Sequence, residues 1–351
     1  MNSMKRIIYW AALILPLLAG CTKPSSYPDA PAPEQYDRYI FFSHGVETKA
    51  SLIESAAGLD GKAFGVVGFK YDFDKAWGTE KATATPNVFA DTPETVDVIA
   101  DGTTADYSPL QGWSNNKRYA FFAFYPHDLE LVNLDGDTPY SGGVPAVKYS
   151  MNPADLKASM VDVMTAPANV DRFWQSSAEG GNNLTNGEVN FAFSHRLSCL
   201  GLNIANLSAG TITLESVEFK IGGIKFHQAV FSLTDGATLS TTAATPTTAE
   251  LPLAFAEGEN SIEDGATKEL SDKLIFIPQT DPVTLTVTVG YTRTLDGYAD
   301  NVTSHTTYEL STALTGGKKH IVNLNFKDST VDVELKCGPW AESHTIDNTF
   351  N

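Results

Sequence analysis

Cysteine is scarce in this sequence, with three in 351 residues at positions 21, 199 and 337, too few for the disulfide framework of a small secreted scaffold. Positive charge is also short: 24 Lys and Arg stand against 42 Asp and Glu, a formal net charge of −18. No basic stripe interrupts that excess, so binding to nucleic-acid phosphates, which takes clustered Lys and Arg, is excluded. Long apolar runs are confined to Ile7–Leu18, and that run is too short for a bilayer, which needs about 20 apolar residues. The chain also lacks G-x-S-x-G, G-x-G-x-x-G, P-loop, H-E-x-x-H and C-x-x-C signatures, each of which carries a specific catalytic or cofactor chemistry. No enzyme activity, cofactor or metal is therefore expected.

What is present begins at the N-terminus. Lys5 and Arg6 precede the apolar run, and Leu18-Ala19-Gly20-Cys21 closes it with small residues before one cysteine, the layout of a bacterial lipoprotein signal peptide. Residues 1–20 are read as that signal and Cys21 as the acylated first residue of the mature protein. The alternative is an ordinary secretory signal that happens to be followed by a cysteine. Residues 21–37 form a tether or propeptide: TKPSSYPDAPAPEQ (22–35) holds four prolines and almost nothing to bury.

Beyond the tether the chain reads as short strands parted by Gly, Pro, Asn and Asp turns. These are RYIFFS (38–43), AFGVVGFKYD (63–72), YAFFAFYP (119–126), VNFAFSHRLSCLGLNIA (189–205), TITLESVEFKIGG (211–223), KLIFIPQT (273–280), VTLTVTVGYTR (283–293), HIVNLNFK (320–327) and VDVELK (331–336). Alternation is sharpest at Val283-Thr284-Leu285-Thr286-Val287-Thr288-Val289, which puts the odd positions on a core face and the threonines toward solvent. Only PADLKASM (153–160) looks helical, for about two turns, so a parallel βαβ architecture is unfavourable. The expected fold is all-β, two antiparallel β-sandwiches in series. A polar, glycine-rich stretch, SSAEGGNNLTNG (176–187), divides them into an N-terminal domain at 38–182 and a C-terminal domain at 183–351. STTAATPTTA (240–249) reads as a solvated loop.

Few residues are candidates for chemistry. His195 lies in an apolar strand, where a hydrogen-bonded structural histidine is the commoner case. The other histidines are scattered without ligand spacing. Asn133-x-Asp135-x-Asp137 begins like a calcium loop but has Thr138 and Val144 where such a loop needs Gly and Glu, so a turn is expected. Asp296-Gly297 reads as a hairpin turn. Trp77, Trp113, Trp174 and Trp340 are candidates for stacking on sugars, against the ordinary role of core tryptophans. Cys199 is expected to behave as a buried small hydrophobe, and a bridge to Cys337 is left open.

Several runs in their order resemble the fimbrillin family of Bacteroidales, the type V pilins and their accessory subunits. They are YIFFSHGVETKA (39–50), YSPLQGWSNNKRYAFFAFYP (107–126), DVMTA (162–166), VNFAFSHRLSCLGLNI (189–204) and LIFIPQT (274–280). Cys199 departs from the family's usual polar residue, and the end GPWAESHTIDNTFN (338–351) is short. The resemblance implies two transthyretin-like β-sandwich domains in an outer-membrane lipoprotein precursor. It further implies that a trypsin-like protease trims the precursor and that other pilus subunits join it by donor-strand exchange, giving a fimbrium with a role in adhesion to host or bacterial surfaces. Arg38 and Lys49 are the candidate cleavage positions, with Arg38 favoured because it follows the flexible tether. A surface-anchored glycan-binding lipoprotein that does not polymerise is the alternative.

Overall fold

The computed structural model describes residues 38–46, 59, 61–89, 94–98, 104–174, 184, 187–295, 298–300, 306–328 and 330–340. The strands in chain order are β1 (Phe41–Val46), β2 (Ala63–Asp72), β3 (Glu94–Val98), β4 (Thr104–Asp106), β5 (Lys117–Tyr125), β6 (Glu130–Val132), β7 (Ala146–Ser150), β8 (Met164–Thr165), β9 (Asn169–Arg172) and β10 (Glu188–His195). They continue as β11 (Ser198–Asn206), β12 (Thr211–Ser232), β13 (Thr238–Pro252), β14 (Ser261–Ile262), β15 (Thr267–Glu269) and β16 (Leu274–Phe276). The last are β17 (Val283–Leu295), β18 (Tyr298–Asp300), β19 (Thr306–Thr312), β20 (Lys318–Phe326) and β21 (Val331–Pro339). The all-β expectation is borne out, and helix α1 (Trp77–Glu80) is one turn long.

The strands form three curled sheets. In the first, pairing runs β2-β3-β4-β1-β10-β8-β5 and returns from β5 to β2, so the circuit closes, with β9 added on β5. β1 runs parallel to β10 over six residue pairs and antiparallel to β4 over two. The second sheet is β15-β11-β20-β21, with β16 also on β11. The third is β18-β17-β12-β7-β6, with β13 and β14 on β12 and β19 on β17. Sheet membership crosses position 183 in both directions: β10 completes the first sheet, whereas β6 and β7 belong to the third.

Two cores follow from strand alternation. On β5, Tyr119, Phe121 and Ala123 point into the first sheet's interior with Ile40, Phe42, Phe64, Val66, Phe191 and Phe193. The intervening Ala120, Phe122 and Phe124 join the larger core with residues of the second and third sheets. A strand buried on both faces must be apolar at every position, which is why YAFFAFY shows no alternation. β17 is the opposite case: Val283, Leu285, Val287 and Val289 are buried, with the threonines between them more exposed.

Three local expectations are corrected. PADLKASM holds only a 3-10 turn at Lys157–Ser159. The Asp155 carboxylate accepts from the Ala158 N–H, and the Ser159 hydroxyl donates to the Asp155 and Leu156 carbonyls, so side chains satisfy backbone groups in place of a longer helix. STTAATPTTA is part of β13, exposed but paired to β12, because β-branched threonines suit a solvated strand as well as a loop. The run 189–205 is two strands in different sheets, parted at Arg196 and Leu197. Asp296 and Gly297 lie outside the described residues, but Leu295 and Tyr298 beside them are register partners in an antiparallel hairpin.

Candidate functional site

Residues 38–46 bear most directly on what this molecule can do. Ile40 and Phe42 are fully buried, and Phe42 touches Tyr107, Phe121 and Phe191 at ring-centroid distances of 5.1, 5.6 and 5.5 Å. The Tyr107 hydroxyl donates to the Ile40 carbonyl at 3.0 Å. Ile40, just before β1, and Phe42 within it thus key this segment into the first core, and β10 holds β1 along one side. Arg38, three residues before β1, is half-buried. Its carbonyl accepts the Trp113 N–H at 2.8 Å, and its guanidinium lies 5.8 Å from the Trp174 ring. Cys21 and Lys49 lie outside the described residues.

The other tryptophans divide by environment. Trp77 and Trp113 are buried core residues, and the Trp113 indole N–H donates to the Gly187 carbonyl at 3.0 Å. Trp340 is buried in the larger core as well, and it also lines a cavity of about 420 Å³ together with Ser194, His195, Arg196, Gly236, Thr238, Gly316, Gly317, Lys318 and Pro339. Four separate chain segments meet there: the exit from β10, the β12–β13 turn, the β19–β20 turn and the end of β21.

The cavity wall is fixed in place. His195 Nδ1 sits 2.9 Å from the Asp162 carboxylate, with both side chains buried. The Arg196 guanidinium donates to the Thr165 hydroxyl at 2.6 Å and to its carbonyl at 3.3 Å. It lies so close to Gly236 that a Cβ added there would fall 1.9 Å from the guanidinium carbon. Two ring nitrogens, His195 Nε2 and Trp340 Nε1, find no hydrogen-bond partner among the described residues.

A second polar cluster joins the end of β15, the start of β20 and the connection before β16. Lys273 and Lys319, both with buried side chains, reach the same oxygen of Glu269 at 2.6 and 2.5 Å. Burial resists ionisation of Glu269, but the two ammonium groups outweigh it and hold the carboxyl below its usual range. Burial pushes the neighbouring Cys199 thiol up to about 12, and Cys199 and Cys337 are both free. Asp135 closes a turn: its carboxylate accepts the Thr138 and Asp137 N–H groups at 3.0 Å each and the Thr138 hydroxyl at 2.8 Å. Among the described residues no three His, Cys, Asp or Glu side chains are grouped to hold a metal, and no helix is long and apolar enough to cross a membrane.

The strand-rich sequence motifs flagged the first core and β1. His195 and Trp340 stood out singly by residue type, but nothing local joined them into a cavity, since its parts come from positions 194–196, 236–238, 316–318 and 339–340. Comparison with known proteins adds the following. The model of the fimbrillin-like family matches residues 64–340. No curated protein matches the sequence. Among solved structures, a fimbrial protein from Bacteroides vulgatus is similar at 19% identity, with 87% of this chain and 100% of that chain covered and a TM-score of 0.57. Candidate cell adhesion proteins from Bacteroides uniformis (18% identity, 86% and 98% covered, TM-score 0.48) and Bacteroides ovatus (15%, 88% and 99%, 0.49) are more distant in shape. At such identities the first of these speaks for a shared fold.

Proposed function

Because the chain belongs to the fimbrillin-like family, we propose that it is a surface fimbrial subunit whose precursor is a lipoprotein anchored through Cys21 and whose assembly uses strand exchange at the place of β1. It acts through interaction surfaces, with no catalytic site. The observation that supports this reading is the seat of β1. It closes the first sheet between β4 and β10, with only two residue pairs to β4, and contributes Phe42 to the core beside Ile40, the residue that leads into it.

Losing β1 would leave the β10 edge from Glu188 to Phe193 unpaired over a slot shaped for two large apolar side chains. Such an edge is a template for a strand from another chain. Refilling the slot buries two side chains worth about 1.5–3 kcal/mol each, before any ladder hydrogen bonds are counted.

Of the two basic cleavage candidates, Lys49 suits this role. A cut after Lys49 detaches the whole of β1, whereas a cut after Arg38 leaves β1 in its sheet. The Arg38 carbonyl is also engaged by Trp113, and a protease needs extended, unpaired backbone. The experiment is N-terminal sequencing and mass spectrometry of assembled fibres. Mature chains starting at Ala50 support groove opening by loss of β1. Chains starting at Tyr39, or fibres of intact lipidated protein, would sink it.

A further inference from the structure

The seat of β1 is more exacting than a bare sheet edge. Resting on the strand-exchange reading above, we infer that it admits one kind of partner, a strand of another subunit that runs parallel to β10 as β1 does. That strand carries a branched aliphatic residue, any residue, an aromatic residue and a hydroxyl in this order, the pattern of Ile40 to Ser43.

Side chains set the pattern. Ile40 and Phe42 stand two residues apart and share a face, the one turned into the first core. Phe42 lies among the rings of Phe89, Tyr107, Phe121 and Phe191, with centroids 6.3, 5.1, 5.6 and 5.5 Å away. At such separations aromatic pairs attract beyond the area they bury, so an aliphatic side chain in this place forgoes part of the binding. Ser43 points to the opposite face, where the Asn190 side-chain amide donates to its hydroxyl at 3.0 Å.

Backbone groups set the direction. Successive residues of a strand turn their N–H and C=O to opposite edges. The Ile40 N–H donates to the Gln111 carbonyl at 2.8 Å, and the Ile40 carbonyl accepts the Tyr107 hydroxyl at 3.0 Å. The Phe41 N–H turns the other way and donates to the Gly187 carbonyl at 3.3 Å, beside the start of β10. A strand laid in reverse can keep its side chains in the same places, but every N–H and C=O then faces the opposite edge. The Gln111 carbonyl and the Tyr107 hydroxyl lose what Ile40 gives them, and buried polar groups left unmet weaken binding.

The same pattern rules out one occupant. Within residues 341–351 the large apolar side chains are Ile346 and Phe350, four positions apart. With Phe350 among the four rings, Asn348 falls at the place of Ile40 and puts an amide into an apolar core. That segment of a second copy is therefore a poor fit, and the partner is a strand with the closer spacing.

The test uses the full mature chain with Phe42→Ala, which loosens the resident strand, cut at a specific protease site built in after Lys49. Fluorescence polarisation then follows four labelled peptides: residues 38–46, the same peptide with Phe42→Ala, the same residues in reverse order, and residues 341–351. Saturable binding of 38–46 is expected, with each of the other three at least about tenfold weaker. Where the cut chain is unfolded, the β-sheet circular dichroism recovered on adding each peptide gives the same ranking. Equal binding of any of the other three would overturn the pattern or the direction while leaving strand exchange standing. Binding of none of the four would overturn both.

Discussion

The indole of Trp340 lies flat on the imidazole of His195, with ring centroids 4.2 Å apart and planes 6° from parallel. His195 ends β10 in the first sheet and Trp340 follows β21 in the second, so one stack ties the end of β21 to the sheet that holds β1. Both rings are buried.

Trp340→Ala should therefore cost about 3 kcal/mol, the scale of deleting a large buried aromatic. Urea denaturation would show it as a lower midpoint with an unchanged slope. A loss under about 1 kcal/mol would mean that the ring covers the cavity without holding the sheets together.

Glu269 gives the pH dependence its sign. Its carboxyl is held below the ordinary range because Lys273 and Lys319 outweigh the effect of burial. A depressed folded value means that the stabilisation is present above the unfolded carboxylate range and is lost as pH falls through the folded value. Glu269→Gln strands two buried ammonium groups on one amide. Breaking a buried pair costs about 3–5 kcal/mol, and the 43% exposure of the Glu269 side chain brings the expectation to about 2 kcal/mol at neutral pH. Stability measured from pH 7 down to pH 3 should fall less steeply in the variant than in the parent.

How much of this was legible beforehand depends on whether the signal was local. The Val283–Val289 alternation foretold one buried face, and β17 has it, because a strand's two faces are written into its own residues. Partner choice is not written that way. VNFAFSHRLSCLGLNIA gives no sign that Phe193 enters the first core while Leu200 enters the second, since both environments demand the same apolar residues. The pairing of β6 and β7 with the third sheet, more than 60 residues from β12, is equally silent. His195 was expected to be a hydrogen-bonded structural histidine, and Asp162 supplies that bond. Its stack on Trp340 could not be read from residues 145 positions apart.

Two glycines with nearly the same backbone separate conformational strain from packing. Gly236 has φ of +72° and Gly258 has φ of +73°. A Cβ on Gly258 meets nothing within 4 Å, whereas one on Gly236 collides with Arg196. Gly258→Ala should cost about 1 kcal/mol for the left-handed backbone alone. Gly236→Ala should cost clearly more, about 3 kcal/mol, since the anchored guanidinium must leave Thr165 to make room. Equal losses in parallel urea melts would show that Arg196 yields freely and that the cavity wall is softer than its contacts imply.

The cysteines should behave as two unrelated thiols. Cys199 is buried in β11, and burial pushes its thiol up to about 12; Cys337 is exposed in β21. β20 runs between them, with Lys319 opposite Cys199 and His320 opposite Cys337. Adjacent residues of β20 face opposite sides of the sheet, and two strand spacings amount to about 9.5 Å, beyond the roughly 7 Å Cα separation that a bridge tolerates. A thiol reagent at pH 8 should modify Cys337 within minutes and Cys199 only after unfolding, because the thiolate is the reactive form. Mass spectrometry of the unreduced native protein should find no link between the two. Mild oxidation should instead join two molecules through Cys337, whose strand forms an edge of the second sheet. Rapid native labelling of Cys199 would contradict its burial, and an internal 199–337 bridge would require β11 and β21 to be neighbours, against the order of that sheet.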